Sequence, residues 1–420
     1  GFKAHAFIHP CVPTSLLELD TIKASLNQQP WKSGYAGLAG ASTSQLSWPP
    51  EGPWGTVSRT PDVNLTYWKN DMNAVYNLAR MWYFTGNTNY AQKAHDILLA
   101  WANTQTNFAG QEMDLSLGDF AVVYAGGADI LRGTWPGWTE ADTIAVKNYF
   151  ENVTWPATIA GYNTTGPANK GMLYLEGGMA VAAFCDDTNK FNHVIDVYRT
   201  SPASGLFNTL PTGEMGETGR DEGHSYGTLL GMAVISEIAW KQGIDLYSDL
   251  DNRLLACGEY YARNTLTNDN PFVPFGTIDY NYYANNPYYY TATRSALYII
   301  QNAYKNRFGL PTPWIDRKLP EQGVYGDNFM YAKTADFSIA TPLAPVMRPP
   351  VSPASSGLTL TTLGSQTAGR SVSYANGVWT MTGLGNTVWV GTGGAGDCQI
   401  AYRTMTGDCA MVVRITSATA

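Results

Sequence analysis

The sequence predicts an all-helical (α/α) toroid, an inner and an outer ring of helices, followed by a Pro-rich linker and a small β-rich segment. Helical apolar periodicity recurs from about Pro13 to Phe308 with no strand run of comparable length. Within that stretch, segments apolar on nearly every side alternate with amphipathic ones, as expected of helices buried all round and helices with one wet face. Past residue 340 the composition changes abruptly. A helical solenoid is the alternative, but no repeat of fixed period is present.

Asp71 to Thr85 sets Ala74, Leu78, Met81 and Trp82 at helical spacing and stops at Gly86. Asn89 to Asn103 follows a tight turn and carries Ala91, Ala94, Ile97, Leu98 and Trp101 on one face, so the two segments read as an antiparallel helical hairpin. Phe120 to Leu131 is apolar nearly all round and is expected to be buried. Thr139-Glu-Ala-Asp142 opens the next helix with a capping-box pattern. Met172–Phe184, Phe191–Tyr198, Tyr226–Trp240, Leu246–Tyr261 and Ala292–Phe308 complete a toroidal domain over residues 1–340. Residues 341–357, TPLAPVMRPPVSPASSG, cannot be helical and read as an extended linker. Residues 358–420 alternate in short strand-like pieces such as SVSYANGVWTMTG, where Asn376-Gly377 is a hairpin turn signal. That segment is too short for a full β-sandwich and is expected to be a truncated one.

Composition narrows the function. Charged residues make up 14% of the chain, against about a quarter in an average soluble protein. Polarity comes instead from Asn, Thr, Ser, Gly and Tyr, a mix suited to an extracellular protein that handles sugars. A net charge of −8 without a basic run argues against a nucleic-acid partner. No stretch is long and apolar enough to span a membrane. A secreted or periplasmic monomer fits these features, and the start at Gly1 reads as a processed terminus. Cys11, Cys185, Cys257, Cys398 and Cys409 are odd in number and lack metal-site spacing; Cys398 and Cys409 are close enough to bracket a turn and pair. Asn64, Asn152 and Asn163 lie in N-x-T sequons.

Three stretches, in order, resemble the alginate-lyase-like domain of the (α/α) toroid polysaccharide lyases. They are HPCVPTSLLELDTIKASLNQQPWKSGY, the hairpin NDMNAVYNLARMWYFTGNTNYAQKAHDILLAWANT and the segment GETGRDEGHSYG. The resemblance covers roughly residues 8 to 310, and within the group it is nearest to polysaccharide lyase family thirty-eight. It implies β-elimination on a polyuronate such as alginate or β-glucuronan, with no metal and no cofactor, the acidic polysaccharide being the partner.

Such a reaction removes the proton on carbon 5 and expels the oxygen on carbon 4. The site must neutralise the uronate carboxylate, stabilise the enolate and supply a base and an acid within hydrogen-bond reach. Asn169, in GPANKGMLYLEGG, is the candidate neutraliser, because an amide at a helix start can donate to a carboxylate with the helix dipole behind it. An ordinary N-cap is the bland alternative. Lys170 beside it can add charge. His224, in GRDEGHSYG, is one of five His and suits proton transfer near neutral pH. Arg220 either binds a neighbouring carboxylate or pairs with Asp221 or Glu217 to hold its loop. The base is expected in DYNYYANNPYYYTATR, at Tyr282 first and Tyr280 second, with Arg294 as an activating charge. In β-D-mannuronate and β-D-glucuronate the proton and the leaving oxygen share a ring face, so one phenol with a lowered pKa can serve both. Guluronate would need a second group on the other face. Trp68, Asn70 and the loop with Trp48 and Trp54 are candidate sugar contacts.

Two competing functions remain. A glycoside hydrolase would need two opposed carboxylates, and Asp221 with Glu217 or Glu222 are close together in sequence for that. A non-catalytic glycan-binding protein would bind without consuming its ligand.

Overall fold

The alternation of apolar and amphipathic segments becomes two concentric sets of helices in the computed structural model. It describes residues 6–159, 168–201, 203–274, 286, 295–322 and 326–332, with strands at 359–363, 371–375, 378–382 and 398–402. Tyr280, Tyr282, Arg294, the linker at 341–357, Asn163 and Cys409 lie outside the described residues. Contacts divide the chain into two units, Gly1–Pro345 and Val346–Ala420.

In the first unit, α1 (Leu16–Ser25) and α2 (Trp31–Gly40) lead through strand β1 (Thr56–Ser58) into the hairpin α3 (Leu65–Thr85) and α4 (Thr88–Thr104). Strand β2 (Asn107–Ala109) pairs parallel to β1. Then come α5 (Met113–Asp119), α6 (Ala121–Thr134), α7 (Glu140–Tyr149), α8 (Trp155–Ile159), α9 (Ala168–Phe184) and α10 (Thr188–Thr200). The unit continues with α11 (Glu222–Lys241), α12 (Asp249–Thr267), α13 (Ser295–Gln301) with a π-helical extension to Arg307, and α14 (Pro313–Gln322). The capping box expected at Thr139 is present: its side chain accepts from the Asp142 N–H, and the Asp142 carboxylate accepts from the Thr139 N–H.

Helices α3, α6, α9, α11 and α13 form the inner set, and each runs parallel to the next. Trp68 meets Tyr124 near the starts of α3 and α6, while Tyr76 meets Gly127 farther along both. Tyr124 neighbours Glu176 across α6 and α9, and Arg132 reaches the Phe184 carbonyl beyond them. Asn169 faces Gly227 and Met172 faces Gly231 across α9 and α11. Tyr226 meets Ser295, and Glu237 meets Arg307, across α11 and α13. The outer helices α4, α10 and α12 return the chain, packing on α3, α9 and α11 in turn. This is an (α/α) toroid. Because the inner helices are parallel, their amino ends gather at one end of the ring.

The ring wall is filled by large side chains, among them Trp68, Trp101, Tyr76, Tyr124, Phe150 and Phe184, all wholly or almost wholly buried. Charged networks close the carboxyl end. Lys241 pairs with Glu18 of α1 at 2.8 Å and with Glu237, which also holds Arg307 and Tyr247.

In the second unit, β3 (Thr359–Leu363) pairs antiparallel with β6 (Cys398–Tyr402), and β4 (Ser371–Ala375) pairs antiparallel with β5 (Val378–Thr382). In the latter pair Ala375 stands opposite Val378, and the expected Asn376-Gly377 turn between them lies outside the described residues.

Candidate active site

At the amino end of the ring, α9 and α11 begin side by side because glycine keeps their backbones close. A Cβ on Gly231 would lie 2.6 Å from Met172 Cγ, so this approach requires glycine. One turn earlier Gly227 faces the Asn169 side chain. Asn169 is buried in the first turn of α9, one residue inside the helix, and so is not its N-cap. Its main-chain N–H is directed to Glu217, and its Oδ1 has no hydrogen-bond partner among the described residues.

Glu217 is wholly buried. Burial pushes its carboxyl up, and Arg220, His224 and the Asn169 N–H only partly oppose that. Arg220 lies 3.6 Å from Glu217 and 3.9 Å from Asp221, and its carbonyl accepts from the Asn286 amide. The loop-holding pairing weighed for Arg220 therefore exists, while the guanidinium stays partly exposed.

Asp221 caps α11. Its Oδ1 accepts the His224 N–H at 2.9 Å, and its Oδ2 lies 2.6 Å from His224 Nδ1. Burial pushes the Asp221 carboxyl up, but these two bonds outweigh burial and hold it below the usual range. With Nδ1 engaged by a carboxylate, Nε2 is the imidazole atom left for an external group. Asn169, Arg220 and His224 thus converge around Glu217, at the positive ends of two parallel helices.

The carboxylates that a hydrolase would require are already committed. Asp221 holds His224, Glu222 accepts from Tyr261 at 2.5 Å, and Glu217 is sealed from solvent.

One expected sugar contact is corrected. Trp68 is fully buried among Phe108, Phe120 and Tyr124, with its indole N–H donating to Tyr149 at 3.2 Å. No ligand can reach it; an aromatic on the inward face of α3 is core. Asn70 spends its amide on Glu51 at 2.9 Å and thereby fixes the preceding loop. Trp48 of that loop is half-buried and donates to Asp71, whereas Trp54 is 45% exposed.

Tyr226 is a phenol that sequence reasoning passed over. It lies two residues after His224, partly exposed, with its hydroxyl 3.3 Å from Ser295 at the head of α13. The signal was its place in GRDEGHSYG, set against six tyrosines in the later run.

Among the described residues, His9, Cys11 and Asp129 bring potential metal-ligand atoms within 4.8 Å of one another. His9, however, places its two ring nitrogens 2.5 Å from Asp129 and 2.8 Å from Asp186. That geometry suits an imidazolium between two carboxylates better than a neutral metal ligand. No helix among the described residues is long and apolar enough to cross a membrane.

The fold has solved counterparts. An alginate lyase from Bacteroides ovatus matches with a TM-score of 0.58 at 14% identity, covering 78% of this chain and 100% of its own. Alginate lyase A1-III from Sphingomonas species A1 matches at 0.57 and 16%, covering 75% of this chain and 94% of its own. A tyrosine-to-phenylalanine form of A1-III complexed with tetrasaccharide matches at 0.53 and 16%, covering 78% and 100%. No curated protein matches the chain. The alginate lyase family model matches residues 48–272, a span that runs from the Trp48 loop through α3, α6, α9 and α11 to the end of α12 and includes Asn169, Arg220 and His224. With more than half of its 420 residues matched, the chain belongs to the alginate lyase family and is a polysaccharide lyase.

Proposed function

We propose that the chain cleaves a 1,4-linked polyuronate of the mannuronan or β-glucuronan type by metal-independent β-elimination, leaving unsaturated uronate ends. The observation that carries this is the convergence of Asn169, Arg220 and the Asp221-oriented His224 where the inner helices begin. An acidic chain needs a local positive field to take up a polyanion, and parallel helix amino ends beside Arg220 supply one. The Asn169 amide donates to the uronate carboxylate, which lowers the cost of an enolate at carbon 5. Arg220 adds the charge.

A tyrosine ionised to its phenolate by the surrounding positive charge takes the carbon 5 proton and becomes the phenol. The electron pair expels the carbon 4 oxygen as the double bond forms, and the same phenol returns the proton to that oxygen. Tyr226 is the phenol best supported by geometry, since it shares the first turns of α11 with His224. Tyr282 and Tyr280, from the tyrosine-rich run, are the other two. His224 Nε2 stabilises the developing charge or relays the proton. A secreted or periplasmic location suits a substrate of this size.

The test follows absorbance of the unsaturated product on polymannuronate, β-glucuronan, polyguluronate and polygalacturonate, with chelator present. Activity is expected on the first two. Tyr226→Phe should lower kcat by on the order of 10²-fold or more, with Tyr282→Phe and Tyr280→Phe measured beside it. Loss confined to Tyr282→Phe or Tyr280→Phe would move the base into the run. No ultraviolet product on any uronan would overturn the proposal.

A further inference from the structure

Beside the proposed site, cations from separate elements converge on a single carboxylate. Lys170, next to Asn169, places Nζ 2.6 Å from Glu112 Oε1. Arg59, just after β1, lies 3.5 Å from Glu112 Oε2 and donates from Nη1 to the Glu112 carbonyl at 3.0 Å. Arg220 adds its charge from the loop before α11. All of these side chains are partly open to solvent: Glu112 is 43% exposed, Arg59 31%, Lys170 27% and Arg220 26%.

Two further facts set Glu112 apart from an ordinary surface ion-pair partner. Its backbone is left-handed (φ 55°), which costs a residue bearing a Cβ free energy that the surroundings must offset. The flanking chain holds it there: Arg59 N–H donates to the Ala109 carbonyl, and Gln111 N–H to that of Thr60. A strained, well-held residue thus presents one carboxylate to cations that come from the end of β1 and from α9.

We infer that Glu112 holds, in the free enzyme, the place of a substrate carboxylate, and that Arg59 and Lys170 form a subsite for the uronate next to the one being cleaved, which Arg220 borders from the reacting side. The inference rests on the lyase reading above. Consecutive uronates carry a carboxylate on every sugar, so a chain whose reacting carboxylate meets Asn169 brings its neighbour to an adjacent cationic position. Glu112 keeps these cations paired and oriented until the polymer replaces it. A neutral glycan has nothing with which to displace it.

Breaking the Lys170–Glu112 pair from its two sides separates this role from a structural one. Glu112→Gln removes the competitor and should lower KM for the preferred polyuronate by about two- to five-fold, the range of one exposed ion pair. Lys170→Gln and Arg59→Gln should raise KM by a similar factor, with all three effects shrinking as salt is added. A bridge that merely holds the fold would shift KM and melting temperature in the same direction whichever partner is removed, and that result overturns the inference. If Glu112→Gln fails to fold, Arg59→Gln and Lys170→Gln still decide it: unchanged KM in both overturns the subsite. If the wild type yields no unsaturated uronate, the lyase reading has failed by itself. Gel retardation of the same variants in polymannuronate and in a neutral glucan then tests the cations directly. Retardation by polymannuronate that is strengthened by Glu112→Gln and weakened by Arg59→Gln supports the subsite, and equal retardation of all variants overturns it.

Discussion

Asp221 serves His224 twice, as the cap of its helix and as the partner of its ring, and the two roles can be separated. Asparagine caps a helix nearly as well as aspartate, but it puts no negative charge on Nδ1. Asp221→Asn should therefore keep the melting temperature close to that of the wild type while kcat on polyuronate falls by on the order of 10²-fold, the lower end of what a positioned proton-transfer group contributes. An unchanged kcat would make the Asp221–His224 contact purely structural. That His224, Asn169 and Arg220 are candidates was legible in the sequence because their chemistry is local: amide, imidazole and guanidinium at helix starts carry their meaning in a few neighbouring residues. Trp68 was not. An aromatic in the first turn of an amphipathic helix looks the same whether it faces sugar or core, and only the packing of α3 against α6 decides. Tyr226 opens a helical segment, and nothing in that pattern marks its hydroxyl as lying near Ser295 of α13.

Among elements, the inner helices α6, α9 and α11 were legible from being apolar on nearly every side, since nothing but burial accommodates such a surface. Helix starts were harder to read. Helix α3 begins at Leu65 rather than at Asp71, because its first turn, with Thr66, Tyr67, Lys69 and Asn70, is polar or exposed and leaves no apolar period to detect. Asp71 itself anchors the loop before that helix. Its buried carboxylate accepts from the indoles of Trp48 and Trp101, at 3.1 and 2.8 Å, and from the main-chain N–H groups of Glu51 and Gly52, each at 3.0 Å. Asp71→Ala strands these donors, the Trp101 indole wholly buried and those of the loop partly so. Each orphaned donor costs about 1–3 kcal/mol, and relaxation of the loop recovers part of that. A loss of about 3 kcal/mol or more in denaturant unfolding is expected, with the exposed Trp54 released into a mobile loop. A loss below about 1 kcal/mol would mean that other contacts hold the loop in place.

Across the whole ring, the parallel arrangement of inner helices assigns different work to the two ends. The amino ends carry the proposed site, and the carboxyl ends are closed by charge, as Glu18–Lys241–Glu237–Arg307 and the His9 cluster do. This division was not legible in the sequence, because His9 finds its partners more than a hundred residues away. His9 ties the N-terminal segment to Asp129 of α6 and to Asp186 beyond α9, where Arg132 and Lys147 also converge, each at 2.6 Å from Asp186. Burial alone would pull the imidazole down, but the charge of Asp129 and the bonds from Asp129 and Asp186 outweigh it and push His9 up to about 9. An imidazole that binds its proton more tightly in the folded state than in the unfolded chain stabilises the fold fully below about pH 6.5. That contribution fades as pH rises through about 9. It is worth on the order of 3 kcal/mol at most, enough to move the melting temperature of a domain this size by several degrees. Melting temperature measured from pH 6 to 10 should therefore fall across pH 7–9.5 in the wild type. His9→Gln, which keeps one hydrogen bond but cannot carry the charge, should start lower and stay nearly flat over the same window. Parallel pH profiles for the two proteins would show that the carboxyl end is held by Lys241, Arg132 and Arg307 without help from the imidazolium.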